Sequence, residues 1–397
     1  MGQEPVYAVG LDVGSTRTRM VVCGIEERLR LLGCAVVESA GWSKGSIADQ
    51  RAVSESVLAA IEEAERTAGV SVESAVVGMG GPSMRGASGR GVVELGYPRE
   101  IQQRDINRVR DRAARVQLQE DRMVLQLFPQ DFVVDEHPGH RDPRGATAAR
   151  LELNVHLVTA SVREHNALVG AVNQAHLVVE ETVFEPQAAW YAAVQPEERR
   201  DGVALVDIGA DSTSLVVYYN EAMCLASGVR VCANHFTSDL ARGLSIGPAE
   251  AEQVKLEYGC ANAEDSFENI CVELPGPEGR APRQAPKRHV DLILEARARE
   301  MFQLVRGELA RVGMEKSLLG GIFLSGGGAK LAEILEVAAD ELGCQSRFGI
   351  AVGIDDWPAS MDGPEWCTVA GLAMYSAKLK EQAERQRAAV GWLNRIL

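Results

Sequence analysis

The chain has 397 residues, 46% of them apolar, and its 56 acidic and 41 basic residues leave a net charge of -15. This composition is typical of a globular protein with a sizeable core, and it excludes bulk disorder. The acidic balance repels polyphosphate, which excludes a general nucleic-acid binder. Because the eight cysteines form no CxxC pair, we expect reduced thiols in a cytosolic protein. We expect neither a signal peptide nor a membrane-spanning helix, since no uncharged apolar stretch reaches the roughly 18 residues that a span needs.

The first part of the chain predicts a strand-rich unit followed by helices. β-Branched and apolar residues predict three short strands with tight connections at 6–13, 18–24 and 29–37. Apolar residues at helical spacing predict a helix at 48–68, and a buried strand follows at 74–79. After a glycine-rich stretch at 80–97 with short strand signals, the pattern predicts a helix at 104–119, a strand at 124–134, a loop at 138–145, a strand at 151–161 and a helix at 163–175.

A second cycle of the same pattern begins near residue 177. A strand at 177–185 leads into a helix at 188–194, and three more strands are predicted at 203–207, 214–219 and 222–226. Because this triplet and the first one both start with a strand that ends in Asp-x-Gly, residues 203–226 are interpreted as an internal repeat of residues 6–37. The remaining predicted elements are a proline-rich loop at 274–288, a helix at 290–312, a strand at 321–324, a helix at 330–342 and a charged C-terminal helix.

Two hairpin connections carry residues that suit phosphate binding. Gly14, Ser15 and Thr16 follow a strand that ends at Asp12, and the stretch from Gly209 to Thr213 follows a strand that contains Asp207. Glycine lets backbone N–H groups approach phosphate oxygens, hydroxyls add donors, and an aspartate can hold Mg²⁺ through water. One such hairpin is a common turn, but two in the same context can hold one polyphosphate from both sides.

A third glycine-rich motif, Gly326, Gly327 and Gly328, lies between a predicted strand and a predicted helix. Three glycines allow a flat base to pack on the backbone, and the helix that follows offers its N-terminus. The chain has no GxxxxGK[ST] motif, so a P-loop protein is excluded. The run from Gly78 to Gly81 is too loose for a dinucleotide fingerprint.

In this order the motifs resemble those of the actin, Hsp70 and sugar-kinase superfamily, in which a nucleotide lies between two lobes. The resemblance implies ATP and Mg²⁺ as ligands, with Asp12 and Asp207 at the metal and Glu185 of the connecting segment on a metal-bound water. These three carboxylates are the candidate catalytic residues. The resemblance also implies that Glu252 and Lys255 hold the adenosine. The second phosphate loop would comprise Gly209, Ala210, Asp211, Ser212 and Thr213.

Within this superfamily the chain is similar to the FtsA family of actin-like bacterial division proteins. The similarity rests on the peptide runs at 99–106, 127–135, 150–156 and 234–241, and on a segment at 84–161 that matches the FtsA-specific subdomain. It implies an α/β fold of two actin-like lobes with an inserted subdomain in lobe 1. The implied domains are a lobe 1 core at 1–83 and 162–200, the insertion at 84–161, a lobe 2 core at 201–227 and 301–380, a lobe 2 subdomain at 228–300, and a linker with a membrane helix at 381–397.

The same resemblance implies a function in cell division. The protein would tether the FtsZ ring to the cytoplasmic face of the membrane at the septum, help assemble the divisome with other division proteins, and self-associate into filaments. The subdomain at 228–300 would bind the FtsZ C-terminal tail, with Arg297 as the best single contact. A PilM-like pilus assembly scaffold and a sugar or carboxylate kinase of the same superfamily remain alternatives.

The sequence departs from the FtsA pattern beside the phosphates. Ala210 and Asp211 stand where the second phosphate loop of the family usually has glycines, and Cys232 and Ala233 replace a Gly-Gly pair. A carboxylate near a γ-phosphate is repulsive. We therefore expect nucleotide binding with at most weak ATPase activity.

The last residues predict a membrane anchor. At 100° per residue, the apolar side chains there fall within an arc of about 160°. From Lys378 onward the chain has five basic and two acidic residues, a local charge of +3. This combination favours an in-plane helix on anionic lipid, and a helix docked on its own domain is the alternative. The predicted membrane residues are Val390, Trp392, Leu393, Ile396 and Leu397.

Overall fold

The fold is taken from a computed structural model, which describes residues 6–264, 270–274 and 282–396, with side chains up to residue 385. Its strands are β1 (Tyr7–Val13), β2 (Arg17–Ile25), β3 (Leu29–Glu38), β4 (Trp42–Ser43), β5 (Ser46–Ile47), β6 (Ser74–Met79), β7 (Arg85–Glu100), β8 (Arg122–Val134), β9 (His137–His140), β10 (Thr147–Ser161), β11 (Val178–Phe184), β12 (Val203–Ile208), β13 (Thr213–Tyr219), β14 (Ala222–Val229), β15 (Cys271–Leu274), β16 (Arg283–Pro286), β17 (Ile322–Ser325), β18 (Ser346–Phe348) and β19 (Ile354–Asp355). Its α-helices are α1 (Gln50–Ala68), α2 (Gln103–Ala113), α3 (Val162–Gln174), α4 (Glu185–Ala193), α5 (Ala233–Leu244), α6 (Pro248–Tyr258), α7 (Lys287–Arg311), α8 (Ile334–Leu342) and α9 (Cys367–Ile396).

The first lobe is built on a six-stranded sheet in the order β11-β6-β1-β2-β3-β19. Central strand β1 pairs antiparallel with β2 and parallel with β6. Because β1 is buried along nearly its whole length, it reads as a continuous apolar run rather than an alternating one. Helix α1 packs against β3. The carboxylate of Asp49 caps the start of α1, and Gly69 ends it with a φ of 68°.

The second lobe repeats this arrangement around a sheet in the order β14-β13-β12-β17-β18. Here β12 is the central strand, and it pairs antiparallel with β13 and parallel with β17. The internal repeat predicted at 203–226 is therefore confirmed at the level of topology. Helices α5 to α8 supply a separate apolar core, in which Phe236, Leu294 and Phe302 are buried.

A third sheet, β7-β10-β8-β9, follows the first-lobe strand β6 in the chain. Helix α2 packs against it over a small core that includes Val93, Val109 and Leu153. The sheet also contacts the second lobe, because the side chain of Gln130 donates a hydrogen bond to the carbonyl of Met223 at 3.0 Å. The sheet thus bridges the first lobe and strand β14.

Several predicted elements differ from the structure. The glycine-rich stretch at 80–97 is mostly one long strand, β7, and the predicted loop at 138–145 contains β9. The predicted helix at 104–119 stops at Ala113, where its stripe of buried residues ends. The predicted loop at 274–288 includes β16 and the start of α7, and its residues 275–281 lie outside the described part of the chain. The predicted helix at 330–342 begins only at Ile334, because Glu333 before it has a positive φ of 58°.

The end of the chain returns to the first lobe, which corrects part of the predicted division at 301–380. Strand β19 pairs with β3, and α9 packs on β1 and α4. The approach is close: a Cβ on Gly10 would lie 2.5 Å from the backbone nitrogen of Ala373, and one on Gly371 would lie 1.8 Å from the carbonyl oxygen of Ala188. Residues of β19 and the first turns of α9 therefore belong to the core of lobe 1. The sequence pattern missed this because the crossing depends on contacts far apart in the chain.

Candidate nucleotide site

A cleft of about 1600 Å³ is lined by loops of both lobes. It brings together nearly all the residues predicted for nucleotide and metal binding. These are Asp12, Gly14, Ser15, Thr16, Glu185, Asp207, Gly209, Ala210, Asp211, Ser212, Glu252, Lys255, Gly326, Gly327 and Gly328. Thr213 does not line the cleft, because it begins β13 and is only 1% exposed.

The two hairpin loops have the same construction. Gly14 follows β1, and a Cβ there would lie 2.8 Å from the carbonyl oxygen of Arg17. Gly209 follows β12, donates its N–H to the carbonyl of Ser212 at 2.8 Å, and has room for no side chain on that side. In both loops glycine is therefore required to close the turn, which leaves the loop backbone exposed to the cleft.

Three carboxylates meet at the inner end of the cleft. Asp12 lies near the end of β1, Asp207 near the end of β12, and Glu185 at the start of α4. Burial raises the pKa of Asp12 to about 6, against an opposing effect of the Arg19 charge. Burial and then the charges of Asp12 and Asp207 raise the pKa of Glu185 well above its ordinary value.

Of the three carboxylates, Asp207 has a protein hydrogen bond that stabilises its charged form. Burial raises its pKa, while a hydrogen bond from the Ser325 hydroxyl, at 2.8 Å, and the charge of Arg19 oppose this rise. One buried and two half-buried carboxyl groups that repel one another are suited to a hard cation, which prefers oxygen ligands. Within the described residues, no group of three His, Cys, Asp or Glu side chains is arranged to hold a metal ion by itself. The site therefore fits an ion that keeps water and phosphate among its ligands, as Mg²⁺ does.

Gly78 in β6 and Gly80 just after it make room for Glu185, a role that the sequence did not indicate. A Cβ on Gly80 would lie 1.8 Å from Oε2 of Glu185, and one on Gly78 would lie 3.1 Å from its Cγ. The glycine-rich run that failed as a dinucleotide motif thus lets a carboxylate from α4 approach the backbone. The sequence does show a pair of glycines at the end of a predicted buried strand. It could not show that Glu185 packs against them, because Glu185 lies more than one hundred residues away in the chain.

The opposite wall of the cleft combines the third glycine motif with two helices. Gly326 has a φ of 84° and packs against β12, whereas a Cβ on Gly327 would meet nothing within 4 Å. Lys255 on α6 contacts Glu252 at 2.7 Å and donates a hydrogen bond to the hydroxyl of Thr237 at 2.9 Å. The Thr237 hydroxyl also bonds Glu252. This polar triad beside an open glycine backbone is suited to a ribose and a flat base.

The second phosphate loop is tied to the start of α5. The side chain of Asn234 donates a hydrogen bond to the Asp211 carboxylate at 2.7 Å, and its backbone N–H donates to the carbonyl of Ala210 at 2.9 Å. Ala233 lines the cleft, but Cys232 does not, because its thiol is buried against Nδ1 of His235 at 3.0 Å. Of the two residues that replace the Gly-Gly pair, only Ala233 therefore lines the cleft.

The predicted partner residue Arg297 does not line the cleft, and the predicted membrane residues fall where side chains are not described. Arg297 on α7 forms ion pairs with Asp239 at 2.6 Å and with Glu300 at 2.5 Å. Val390, Trp392, Leu393, Ile396 and Leu397 lie outside the residues whose side chains are described, although the backbone of α9 continues to Ile396. Among the described helices, none is long and apolar enough to cross a membrane.

Comparisons with known proteins identify the family. The model for "Cell division protein FtsA" matches residues 204–371, and that for "SHS2 domain inserted in FTSA" matches residues 81–159. Cell division protein FtsA of Pseudomonas aeruginosa is 30% identical over 390 residues, which cover 98% of this chain and 93% of that protein. The chain belongs to the FtsA family. FtsA of Escherichia coli is 28% identical over 403 residues, which cover 98% of this chain and 96% of that protein.

Solved structures show the actin-like ATPase fold. The PilM-PilN type IV pilus biogenesis complex matches with a TM-score of 0.70 and 19% identity, over 94% of this chain and 99% of that one. MreB5 of Spiroplasma citri bound to ADP matches with a TM-score of 0.57 and 14% identity, over 95% of this chain and 98% of that one. At these identities the likeness concerns the fold alone. The FtsA relatives therefore decide between this family and the PilM alternative.

Proposed function

We propose that this FtsA-family protein binds Mg²⁺-ATP in the cleft and tethers FtsZ polymers to the cytoplasmic face of the membrane at the division septum. The observation that carries the nucleotide part is the meeting of two matched hairpin loops, one open glycine loop and three interacting carboxylates in one cleft. The tethering part rests on the family and on the charged, amphipathic end of the sequence. The nucleotide acts mainly as a structural and conformational ligand.

The proposed roles of the cleft residues are supported by their positions. Backbone N–H groups of the two hairpin loops would bind phosphate oxygens, and Asp12 and Asp207 would hold the Mg²⁺ through water. Glu185 would orient a water molecule beside them. Glu252 and Lys255 bind the ribose beside the loop at 326–328. When bound, Mg²⁺ would supply positive charge to the phosphates and to the carboxylates together.

Hydrolysis is proposed to be slow. Asp211 brings a carboxylate to the phosphate loop, and its hydrogen bond with Asn234 fixes that carboxylate in place. A fixed negative charge beside a γ-phosphate disfavours the further charge of an attacking hydroxide. The segment at 81–159 matches a domain that is inserted in FtsA, and this match does not support the alternative of a sugar or carboxylate kinase.

The FtsZ tail is proposed to bind the subdomain at 228–300. Arg297 remains the proposed contact, and its guanidinium is already paired with Asp239 and Glu300. An acidic residue of the tail would therefore either bind Arg297 together with these two carboxylates or replace one of them. Other proposed associations are head-to-tail filaments of this chain and contacts with further division proteins.

One experiment tests the tethering part of the proposal. The protein is mixed with anionic liposomes and a labelled FtsZ C-terminal tail peptide, with and without ATP and Mg²⁺, and sedimented. We expect the peptide to pellet only when protein and liposomes are both present. A variant lacking residues 385–397 is the control and should keep the peptide in the supernatant while still binding it. Failure of the full-length protein to bind both liposomes and peptide would contradict the tethering proposal.

A further inference from the structure

A segment of the first lobe spans the cleft from one phosphate hairpin to the other. At its start, the N–H of Ser39 donates a hydrogen bond to the carbonyl of Thr16 in the first hairpin loop, at 3.1 Å. The chain then forms the β4–β5 hairpin, whose tip residues Lys44 and Gly45 both have a positive φ, 51° and 74°. A two-residue tip of this kind is a tight turn that matches the twist of the flanking strands. The cleft is lined along this segment by Ser39, Trp42, Gly45, Ser46 and Ile47.

The tip of this hairpin lies against the second phosphate loop, which belongs to the other lobe. A Cβ on Gly45 would lie 3.4 Å from the Cβ of Asp211 and 2.9 Å from Cδ of Pro82. Across the described part of the chain, no hydrogen bond or ion pair joins residues 42–47 to residues 209–213. The two lobes therefore meet here through van der Waals contact alone. Such a contact is weak for each pair of atoms, so it can be broken at little cost.

Each side of this contact is held within its own lobe. The Ser46 hydroxyl donates a hydrogen bond to the Glu164 carboxylate on α3 at 3.2 Å, and the Ser83 hydroxyl donates to the same carboxylate. In the second lobe, the Asp211 carboxylate accepts a hydrogen bond from the Asn234 side chain at 2.7 Å. Because the hairpin and the loop are each fixed to their own lobe, a change in the separation of the lobes makes or breaks the contact as a unit.

We infer that the β4–β5 hairpin is a gate at the phosphate end of the cleft. Its contact with Asp211 retains a bound nucleotide, and separation of Gly45 from Asp211 admits and releases it. The inference rests on the proposed nucleotide function and goes beyond it to the control of nucleotide exchange. Opening of the contact then limits exchange, so the rates of uptake and release change together while the affinity changes less.

A disulfide across the contact tests the gate. The Cβ separation of 3.4 Å is close to the value of about 3.8 Å that is usual in disulfides, so the double variant Gly45→Cys with Asp211→Cys can be locked by oxidation. The probe is ATP with a fluorescent label on the ribose, in Mg²⁺, and its release into excess unlabelled ATP is followed by stopped flow. Protein oxidised after loading should release the probe at least about tenfold more slowly than the same protein when reduced. Protein oxidised before loading should take up little probe, and dithiothreitol should reverse both effects.

Gly45→Cys alone is the matched control, since it carries the same substitution at the tip and meets the same oxidant without the second engineered thiol. Oxidation should leave its release rate unchanged. A second pair of variants needs no oxidation. Asp211→Ala keeps the Cβ that meets the hairpin, whereas Asp211→Gly removes it, and both lack the carboxylate. Release should therefore be several-fold faster from Asp211→Gly than from Asp211→Ala.

The outcomes separate the gate from the proposed function. A disulfide that does not form in the folded double variant, or that forms and leaves uptake and release of the probe unchanged, would overturn the gate while Mg²⁺-ATP binding stands. Equal release rates from Asp211→Ala and Asp211→Gly would overturn it as well, and this comparison decides if the double variant does not fold. Absence of probe binding to the wild type in Mg²⁺ would instead overturn the proposed nucleotide function.

Discussion

His156 on β10 accepts a hydrogen bond through Nε2 from the backbone N–H of Ala226 on β14, at 3.0 Å. The contact is tight, because a Cβ on Gly86 would lie 2.3 Å from the carbonyl oxygen of Ala226 and 2.6 Å from Nε2 of His156. This bond joins the inserted sheet to the second lobe. Strand β14 pairs with β13, which begins directly after the second phosphate loop. The insertion therefore contacts β14, the strand next to the one that follows the second phosphate loop.

The buried imidazole predicts a pH-dependent loss of stability. Burial, with a smaller effect of the Arg311 charge, lowers the pKa of His156 from 6.5 to about 4. The unfolded chain thus binds more protons, and the stabilisation present above pH 6.5 is lost as pH falls toward 4. The free energy of unfolding should drop by about 2 kcal/mol between pH 7 and pH 5 from this group alone.

Urea unfolding of the wild type and of His156→Asn at both pH values measures this contribution. Other titrating groups, including the cleft carboxylates, are common to both proteins, so the difference in pH dependence isolates His156. His137→Asn on the exposed β9 hairpin is the control and should behave as the wild type does. A His156→Asn protein whose stability falls as steeply as that of the wild type would contradict the prediction.

The carboxylate cluster predicts a conflict between stability and nucleotide binding. Because burial raises the pKa of Asp12 to about 6, its charged form is a cost to folding at pH 7 that disappears at lower pH. Asp12→Asn should therefore raise the free energy of unfolding without nucleotide by about 3 kcal/mol at pH 7. The same variant should bind Mg²⁺-ATP at least about tenfold more weakly.

Thermal melts with and without Mg²⁺-ATP measure both effects of Asp12→Asn. The wild type should gain stability from the ligand, and the variant should start higher and gain less. Asp111→Asn on the exposed side of α2 is the control for a general change in net charge. A variant that is less stable than the wild type without ligand would contradict the cost of burying the charged Asp12 carboxylate.

The second phosphate loop predicts what limits ATP turnover. Replacing Ala210 and Asp211 by glycine removes two side chains from the loop and the carboxylate that Asn234 holds. Phosphate release from ATP should then rise. Asp211→Asn is the control that removes the charge and keeps the side chain. If the double variant turns over no faster than the wild type, the loop is not the limit.

The sequence predicted the parts of the site that local spacing determines. The Asp-x-Gly hairpins and the glycine loop are short, contiguous patterns, and all three line the cleft. The residues that the sequence missed depend on contacts between distant segments. Gly80 needs the approach of Glu185, Thr237 needs the packing of α5 on α6, and Arg19 needs the β1–β2 register. The return of α9 to the first lobe was missed for the same reason.

Arg297 predicts a coupled effect on folding and tail binding. Arg297→Glu places a third acidic group between Asp239 and Glu300 and should destabilise the protein as well as weaken tail binding. The double variant Arg297→Asp with Asp239→Arg restores an ion pair in the reverse orientation. We expect it to recover most of the stability, measured by thermal melting, but not the affinity for the FtsZ tail peptide. Full recovery of peptide binding would move the contact elsewhere in the subdomain.

The C-terminal helix predicts that membrane binding can be removed without loss of the fold. Helix α9 runs without interruption from Cys367 to Ile396, and its contacts with the first lobe reach Lys380, whose amino group lies 2.9 Å from the Glu180 carboxylate. An isolated helix as short as residues 388–397 is marginal in water. Continuity with the packed part of α9 removes the cost of nucleation. On lipid, the five predicted apolar side chains would then contribute about 5 kcal/mol of binding, and subunits linked in a filament would bind more firmly than one alone.

Trp392→Glu places a charge in the centre of the predicted apolar arc and should abolish co-sedimentation with anionic liposomes. Deletion of residues 385–397 should do the same, and because it begins beyond the Lys380 contact, the melting temperature and ATP affinity should stay at wild-type values. A deletion through Lys378 is the contrasting variant. It removes the contacts of Lys378 with Tyr191 and of Lys380 with Glu180, so it should lower the melting temperature. If the shorter deletion unfolds the protein, or still sediments with liposomes, the helix docks on its own domain and does not anchor the protein to lipid.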